Sequence, residues 1–261
     1  MKKLTHLSIL LVVSIFSYSQ VKINQNPSLN ILVNISDENF EYYLETHDTN
    51  GINVSIDSPN NMGDGILNNR KVYKSRIENV LNLDLSNLKI NSIVGIEYFS
   101  LLTKLNISNN NISDINISQN IKLDWLFCSN NKLLELNVSS NLSLDRLYCA
   151  NNKISSLDIS KNIALDYLDC SNNKIEKLDV SKNSSLDRLF CPNNNIKTID
   201  ISNNKSIDRV DVSNNNLNKI TIITTQKILL KRTYKNNEGN NFPRLKLDSN
   251  PKLIFNISMA L

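Results

Sequence analysis

The sequence predicts a solenoid of short stacked repeats, with a parallel β-sheet along one face and extended or turn segments along the other. A large aliphatic residue recurs every 21 residues, at Leu102, Leu123, Leu144, Leu165, Leu186 and Ile207. Around each one, further apolar residues follow three and five places on, and an asparagine stands three places after the last of them. A repeat this regular gives one surface of the chain many equivalent positions.

Each 21-residue unit contains the same frame twice, in half-units of 10 and 11 residues. The frame that starts at Leu144 returns at Ile154. Because apolar and polar residues alternate at the start of each frame, both halves suit a short extended segment followed by a polar corner. We expect one half to form a strand of the parallel sheet and the other to return extended across the back.

Two series of asparagines mark the corners. They are Asn110, Asn131, Asn152, Asn173 and Asn194 after the first half, and Asn120, Asn141, Asn162, Asn183 and Asn204 after the second. An amide side chain carries both a donor and an acceptor, so it can satisfy backbone groups where the chain turns inward. We expect both series to be structural.

Four cysteines share one inward position of the frame, where other units carry Ile107 and Val212. They are Cys128, Cys149, Cys170 and Cys191. A residue that exchanges with Ile and Val acts as a small hydrophobe. Side chains stacked in a straight file, roughly 4.8 Å apart, suit neither a disulfide nor a set of converging metal ligands. We therefore expect four buried free thiols.

The segments 165–175 and 178–183 resemble the leucine-rich repeats of secreted bacterial proteins. The stretch 93–112 is similar to the internalin-like, 22-residue type, and Leu83 and Leu105 are 22 residues apart. The resemblance covers about residues 80–222. It implies a leucine-rich repeat solenoid with a parallel β-sheet on the concave face, extended or turn segments on the convex face and a small helical N-terminal cap. It also implies binding of protein or glycan partners rather than catalysis.

Four regions follow along the chain. Residues 1–19 are typical of a signal peptide, because Lys2 and Lys3 precede a short apolar run and small residues stand before Gln20. Residues 20–79 form the N-terminal segment and cap, with a helix start near Asp37. Residues 80–222 form the repeats. Residues 223–261 form an irregular insertion with a hairpin around 237–240, a last coil and a C-terminal cap.

The signal peptide predicts export, and the resemblance implies the surface or surroundings of a bacterium as the destination. Its apolar run is too short to span a bilayer comfortably, and no later stretch is longer, so we expect no membrane span. Without Lys2 and Lys3, 27 of the 29 basic residues remain against 25 acidic ones. This near balance, with no strong basic run, gives no reason to expect nucleic acid as a partner.

The outward positions of the predicted strands form two columns on the concave face. The column before the second apolar residue of the frame holds Lys104, Trp125, Arg146, Tyr167, Arg188 and Arg209, and the column after it holds Asn106, Phe127, Tyr148, Asp169, Phe190 and Asp211. Trp, Tyr and Arg are enriched at binding hot spots. We take the anchors of a partner to be Trp125, Phe127, Arg146, Tyr148, Tyr167, Arg188 and Phe190. The alternatives are rings packed sideways on arginines of adjacent strands, and self-association through this face.

An acidic column runs beside these residues. It holds Asp124, Asp145, Asp166, Asp187 and Asp208. Stacked like charges repel, so something must offset them. We favour pairing with arginines across the strands, and a calcium ion or a basic partner is the other interpretation.

In the secreted repeat proteins that this chain resembles, a similar helix leads into a loop that resembles a calcium-binding hand. Asp48, Asn50 and Asp64 begin such a pattern, but Lys71 stands where a bidentate glutamate is expected. We therefore expect no cofactor, and calcium in the loop 48–71 is the weaker alternative.

Enzyme motifs are nearly absent from the sequence. The two histidines are His6 in the signal and His47 in the cap, and no glycine-rich phosphate loop occurs among the five glycines. We therefore expect an exported, non-catalytic protein that binds a protein or glycan partner through the concave face. A self-assembling structural component of a surface or matrix is the alternative, and an enzyme subunit is less favoured.

Overall fold

The computed structural model describes residues 31–223 and the later strands at 233–235, 241–243, 245–246 and 254–258. The predicted signal peptide 1–19 and most of the predicted C-terminal region 223–261 lie outside the described residues. No helix of the described part is both long and apolar enough to cross a membrane.

The cap begins with strand β1 (Leu32–Asn34) and helix α1 (Glu38–Thr46), followed by β2 (Lys71–Tyr73) and the short α2 (Lys74–Ile77). β1 and β2 pair antiparallel. Asp37 caps α1, because its Oδ1 accepts the backbone N–H groups of Asn39 and Phe40 at 2.9 and 3.2 Å. The predicted helical cap is thus confirmed. The other carboxylate oxygen of Asp37, Oδ2, accepts the N–H of Asn91 at 2.8 Å, and this bond connects the cap to the first repeat.

The remaining elements are short strands and one 3-10 helix. In chain order they are β3 (Asn82–Asp84), the 3-10 helix (Ile96–Tyr98), β4 (Lys104–Asn106), β5 (Trp125–Phe127), β6 (Arg146–Tyr148), β7 (Tyr167–Asp169), β8 (Arg188–Phe190), β9 (Thr198–Asp200), β10 (Arg209–Asp211), β11 (Lys219–Ile223), β12 (Thr233–Lys235), β13 (Asn241–Pro243), β14 (Leu245–Lys246) and β15 (Ile254–Ser258).

These strands build the predicted solenoid. Within the described residues, β3 to β8, β10 and β14 form an eight-stranded sheet whose pairs are all parallel. Equivalent frame positions meet in register, as where Leu126 pairs with Leu147. This is the parallel sheet of the concave face, and the leucine-rich repeat fold class is confirmed.

The return half of each coil is less regular than the first half. In the part of the chain that the structure describes, β9, β11 and β15 form a sheet on this side, again with parallel pairs. The return segments between 111 and 183 run through turns and irregular backbone. We expected an extended return in every coil. Within the described residues, the return forms a strand in the coils nearer the C-terminus. β12 and β13 pair antiparallel on either side of 236–240.

The inward positions of the frame form one continuous core. The recurring Leu and Ile residues are buried, and so are the four cysteines, whose thiols are all free. The prediction of four buried free thiols is confirmed. Burial raises the pKa of the Cys128 thiol to about 12, so this side chain stays a neutral hydrophobe at ordinary pH.

The first asparagine series holds adjacent coils together. Asn152 Nδ2 donates to the carbonyl oxygens of Cys128 and Cys149 at 3.0 and 3.1 Å, while its Oδ1 accepts the Leu133 N–H at 3.0 Å. Asn173 repeats this pattern one coil further and donates to the same Cys149 carbonyl at 3.0 Å. Consecutive asparagines therefore share a backbone acceptor.

The second series works at the opposite corner. Asn162 Nδ2 donates to the carbonyl oxygens of Val138 and Asn141 at 3.0 and 2.8 Å. Each following member donates to the backbone carbonyl of the previous one. The expected structural role of both series is confirmed.

A third column of asparagines, beyond the two predicted series, adopts left-handed backbone conformation. Its members have φ between 53° and 59°, and they are Asn109, Asn130, Asn151, Asn172, Asn193 and Asn214. Left-handed backbone is costly for most residues but is tolerated by asparagine. The Asn-Asn doublet in each repeat therefore has two tasks, since the first residue makes the left-handed corner and the second bonds the coils.

The junction of cap and repeats requires a glycine. Gly95 has φ 112°, and a Cβ there would lie 2.9 Å from the Asn34 carbonyl oxygen and closer still to Ile35 Cδ1. A side chain at this position would push the β1 segment away from the first coils.

Candidate ligand-binding face

The alternation of side chains along each strand puts the predicted anchor residues on the concave surface of the sheet. In β5 the middle residue, Leu126, is fully buried, and its neighbours Trp125 and Phe127 are half-buried on the concave surface. β6, β7 and β8 repeat this pattern. All seven predicted anchors therefore lie on one face of four adjacent strands, and their role in binding stays a prediction.

Five rings form a continuous path across these strands, which we call the aromatic ladder: Trp125, Phe127, Tyr148, Tyr167 and Phe190. Successive ring centroids are 6.3, 4.6, 4.5 and 5.6 Å apart, and the two middle contacts are stacked. The path uses both columns, and the step from Tyr148 to Tyr167 is diagonal, because Tyr148 pairs in register with Asp169 and Tyr167 with Arg146. Stacking fixes each ring through its neighbours, so the face is rigid before any partner arrives.

Cations pack on the first ring of the ladder. The Lys104 ammonium lies 4.7 Å from the Trp125 ring centroid, and the Arg146 guanidinium carbon lies 4.5 Å from it. Lys104 is also 5.5 Å from the Phe127 centroid. The sideways packing of rings on cations of adjacent strands is therefore present at Trp125. It extends to Phe127, and the rings from Phe127 to Phe190 also pack on one another.

Tyr167 occupies the centre of the ladder. Burial, followed by the nearby Asp169 carboxylate, raises the pKa of its phenol to about 12. The hydroxyl is therefore a neutral donor and acceptor at every physiological pH.

Among the described residues, the salt bridges of the acidic column join an arginine to the aspartate just before it in sequence, so the expectation of salt bridges across strands is wrong. Arg146 still acts across the strands, because its charge lowers the pKa of Asp124 and Asp166. Arg146 Nε lies 3.3 Å from Asp145 Oδ2, and Arg188 Nε lies 3.2 Å from Asp187 Oδ2. The corresponding distance from Arg209 to Asp208 is 3.7 Å.

Asp124 and Asp166 differ from the rest of the column, because the next residue is aromatic. Neither carboxylate forms a salt bridge within the described residues. Burial, and then the neighbouring carboxylate of Asp145, raise the pKa of both groups, and Asp187 adds to the effect at Asp166. Arg146 acts in the opposite direction on the pKa of both groups, and Arg188 does so at Asp166, but the net effect is a raised pKa.

The cap loop uses its carboxylates for backbone bonds. Asp48 Oδ1 accepts the N–H groups of Asn50 and Ile52, both at 2.9 Å. Glu45, fully buried on α1, accepts those of Asp64 and Gly65 at 2.7 and 2.8 Å. Among the described residues, no cluster of three His, Cys, Asp or Glu side chains is placed to hold a metal ion.

A cavity of about 270 Å³ opens where the cap meets the start of the sheet. Its lining includes Tyr43, Asn50, Asp84, Lys104 and Asn106. Lys104 thus borders both this cavity and the aromatic ladder. No sequence pattern predicts this cavity, since it depends on how α1 and its loop pack beside β3 and β4.

Comparison with known proteins agrees with this architecture. The family described as Leucine Rich repeats (2 copies) matches residues 142–183. Among curated proteins, no sequence matches the chain.

Solved structures resemble the chain more widely. A leucine-rich repeat protein of Leptospira interrogans is 23% identical with a TM-score of 0.54, over 68% of this chain and 44% of that one. The functional domain of InlJ from Listeria monocytogenes, which includes a cysteine ladder, is 25% identical with a TM-score of 0.40, over 74% and 52%. The leucine-rich repeat ectodomain of the Arabidopsis thaliana receptor kinase GASSHO1/SCHENGEN3, in complex with CASPARIAN STRIP INTEGRITY FACTOR 2, is 19% identical with a TM-score of 0.51, over 72% and 23%. The chain spans about half the length of the first two structures.

Proposed function

We propose that this leucine-rich repeat protein is an exported, non-catalytic binding protein that holds a protein partner on its concave face. The aromatic ladder is the observation that carries the proposal. Five large rings, all half-exposed, lie side by side on one face of β5 to β8. Contiguous exposed rings in a monomer are typical of an interaction site.

Rigidity supports the same function. Each ring is held by its neighbours, and each strand is held by bonds to the adjacent coils, so docking freezes few side chains. The entropy lost on association is therefore small for the area offered. Of the solved structures that share the fold, the Arabidopsis ectodomain is itself a complex with a partner.

The joint substitution of Trp125→Ala and Tyr148→Ala tests the proposal. We expect it to weaken partner binding at least 100-fold, because hot-spot rings each contribute about 2 kcal/mol or more. Affinity would be measured on the partner captured from host or bacterial extracts by the mature chain. The melting temperature should fall only modestly, since both side chains are half-buried on the surface and lie outside the core.

Ile121→Ala with Ile163→Ala is the matched control. These residues are 58% and 63% exposed on the flank of the solenoid, so the pair removes apolar surface away from the ladder. Unchanged affinity in the ladder variant, or an equal loss in the flank variant, would refute the assignment.

Self-assembly is the second candidate, and the flank favours it. Ile121, Leu142 and Ile163 are equivalent residues of consecutive coils, each about 60% exposed, and they form an aliphatic stripe. A structural component would show light scattering that grows with concentration and falls in the flank variant. Scattering that stays constant at all concentrations would eliminate this candidate.

A further inference from the structure

The charge of the concave face is opposite to that of the chain. The full sequence carries a formal charge of +4. In the two outward columns and the acidic column of β4 to β8 and β10, seven carboxylates stand beside four cations, a net −3. The carboxylates are Asp124, Asp145, Asp166, Asp169, Asp187, Asp208 and Asp211, and the cations are Lys104, Arg146, Arg188 and Arg209. A cationic partner is therefore drawn to this face and repelled by the rest of the molecule.

The cations of the face are already engaged. Arg146 and Arg188 pair with the aspartate before them, and Lys104 lies over the Trp125 and Phe127 rings. The carboxylates of Asp169 and Asp211 accept the hydroxyls of Ser171 and Ser213. Asp124 and Asp166, each next to a ring of the aromatic ladder, form no salt bridge within the described residues. A carboxylate beside an aromatic face is a favourable place for a guanidinium or ammonium group, which gains an ion pair and a cation–π contact together.

The spacing of the two carboxylates defines the shape of the ligand. Asp124 and Asp166 are two coils apart, about 10 Å at a strand separation of about 4.8 Å. A polyproline II segment has three residues per turn and rises about 3.1 Å per residue. Residues three apart in such a segment therefore lie on one side, about 9 Å apart. Aromatic-lined grooves also accept proline rings readily in this conformation.

We infer that the partner presents a basic, proline-containing segment in polyproline II conformation, which lies along the aromatic ladder with two basic side chains, three residues apart, at Asp124 and Asp166. This inference rests on the proposed function and names the chemistry of its ligand. The prolines contact the rings between the two carboxylates.

The peptide (Arg-Pro-Pro)4 is the probe, and Trp125 is the reporter, because it is the single tryptophan of the chain. We expect the peptide to change the Trp125 fluorescence of the mature protein at low salt and the effect to weaken as salt is raised. The acidic peptide (Glu-Pro-Pro)4 should not bind.

Asp124→Asn with Asp166→Asn is the decisive variant. We expect it to lower the affinity for (Arg-Pro-Pro)4 about 10-fold. The folded state should tolerate it, because it removes two poorly compensated charges. Asp158→Asn with Asp179→Asn is the control, since both carboxylates are exposed on the convex side, where each caps a turn at Ser160 or Ser181. The control changes net charge equally and should leave affinity unaltered.

Equal weakening in both variants, or in neither, overturns the inference. A Trp125 fluorescence response to chitohexaose, with no response to (Arg-Pro-Pro)4, also overturns it, because the face would then bind a glycan. If (Arg-Pro-Pro)4 fails to bind while capture of the partner still depends on Trp125 and Tyr148, the inference falls and the proposed function stands.

Discussion

At the scale of single residues, the same side chain solves different problems according to its place in the frame. Asn152 uses both ends of its amide, as donor to three carbonyls and as acceptor from one N–H. Asn162 uses only its donor end, and within the described residues its buried Oδ1 has no hydrogen-bond partner. Asn151, by contrast, is there for its backbone, with φ 56°. The first role is therefore the one most sensitive to substitution.

Asn152→Ala should lower the free energy of unfolding by about 1–3 kcal/mol, since the buried Leu133 N–H loses its acceptor. Asn152→Asp should cost more, because a carboxylate oxygen would face the Cys128 and Cys149 carbonyl oxygens in place of a donor. Urea denaturation would measure both. A milder effect of aspartate than of alanine would contradict the hydrogen-bond assignment.

At the scale of elements, each coil packs its apolar residues between its two neighbours. The cysteine position illustrates this, since Cys128 to Cys191 form a buried file in the same layer as Ile107 and Val212. Burial is the main reason that the pKa of Cys128 is raised to about 12. A thiol in this layer is neither nucleophilic nor reachable while the coils are stacked.

All four thiols should therefore resist a thiol reagent such as DTNB at pH 8 in the native protein and react fully in denaturant. Cys170→Val should cost less than about 1.5 kcal/mol, because valine fits an apolar site of similar volume. Rapid native labelling of any of the four would mean that the coils open far more readily than their packing indicates.

Sequence patterns predicted those parts of the fold that depend on neighbours within the frame. Leu126, Cys149 and Asn152 could be placed because each meets its own equivalent one coil away, so periodicity alone sets the contact. The ion pair of Asp145 with Arg146 could not, since side-chain rotamers decide between a neighbour in sequence and one across the sheet. The cavity beside Tyr43 depends on how the cap packs against the first strands, and the repeat pattern carries no information about that packing.

At the scale of the whole molecule, the asparagines couple each coil to the next. Asn152 and Asn173 both donate to the Cys149 carbonyl, so either one alone keeps that oxygen bonded. Asn110 and Asn194 share no acceptor. Stability should therefore behave as a sum of interactions between adjacent coils.

A double-mutant cycle tests this arrangement. Asn152→Ala with Asn173→Ala should cost more than the sum of the single substitutions, by about 0.5–3 kcal/mol, because the double variant leaves the carbonyl without a donor. Asn110→Ala with Asn194→Ala should be additive in the same urea experiments. Additivity in both pairs would show that the shared acceptor does not couple the coils.

The constant interval of 21 residues has a consequence for how such a molecule changes over evolutionary time. Loss or duplication of one whole unit in the run from Leu102 to Ile207 would join the same kinds of contacts that were there before. The reach of the recognition surface can thus grow or shrink in fixed increments, while the remaining units need no redesign. New binding specificity can arise by copying a segment and altering the two outward positions of its strand.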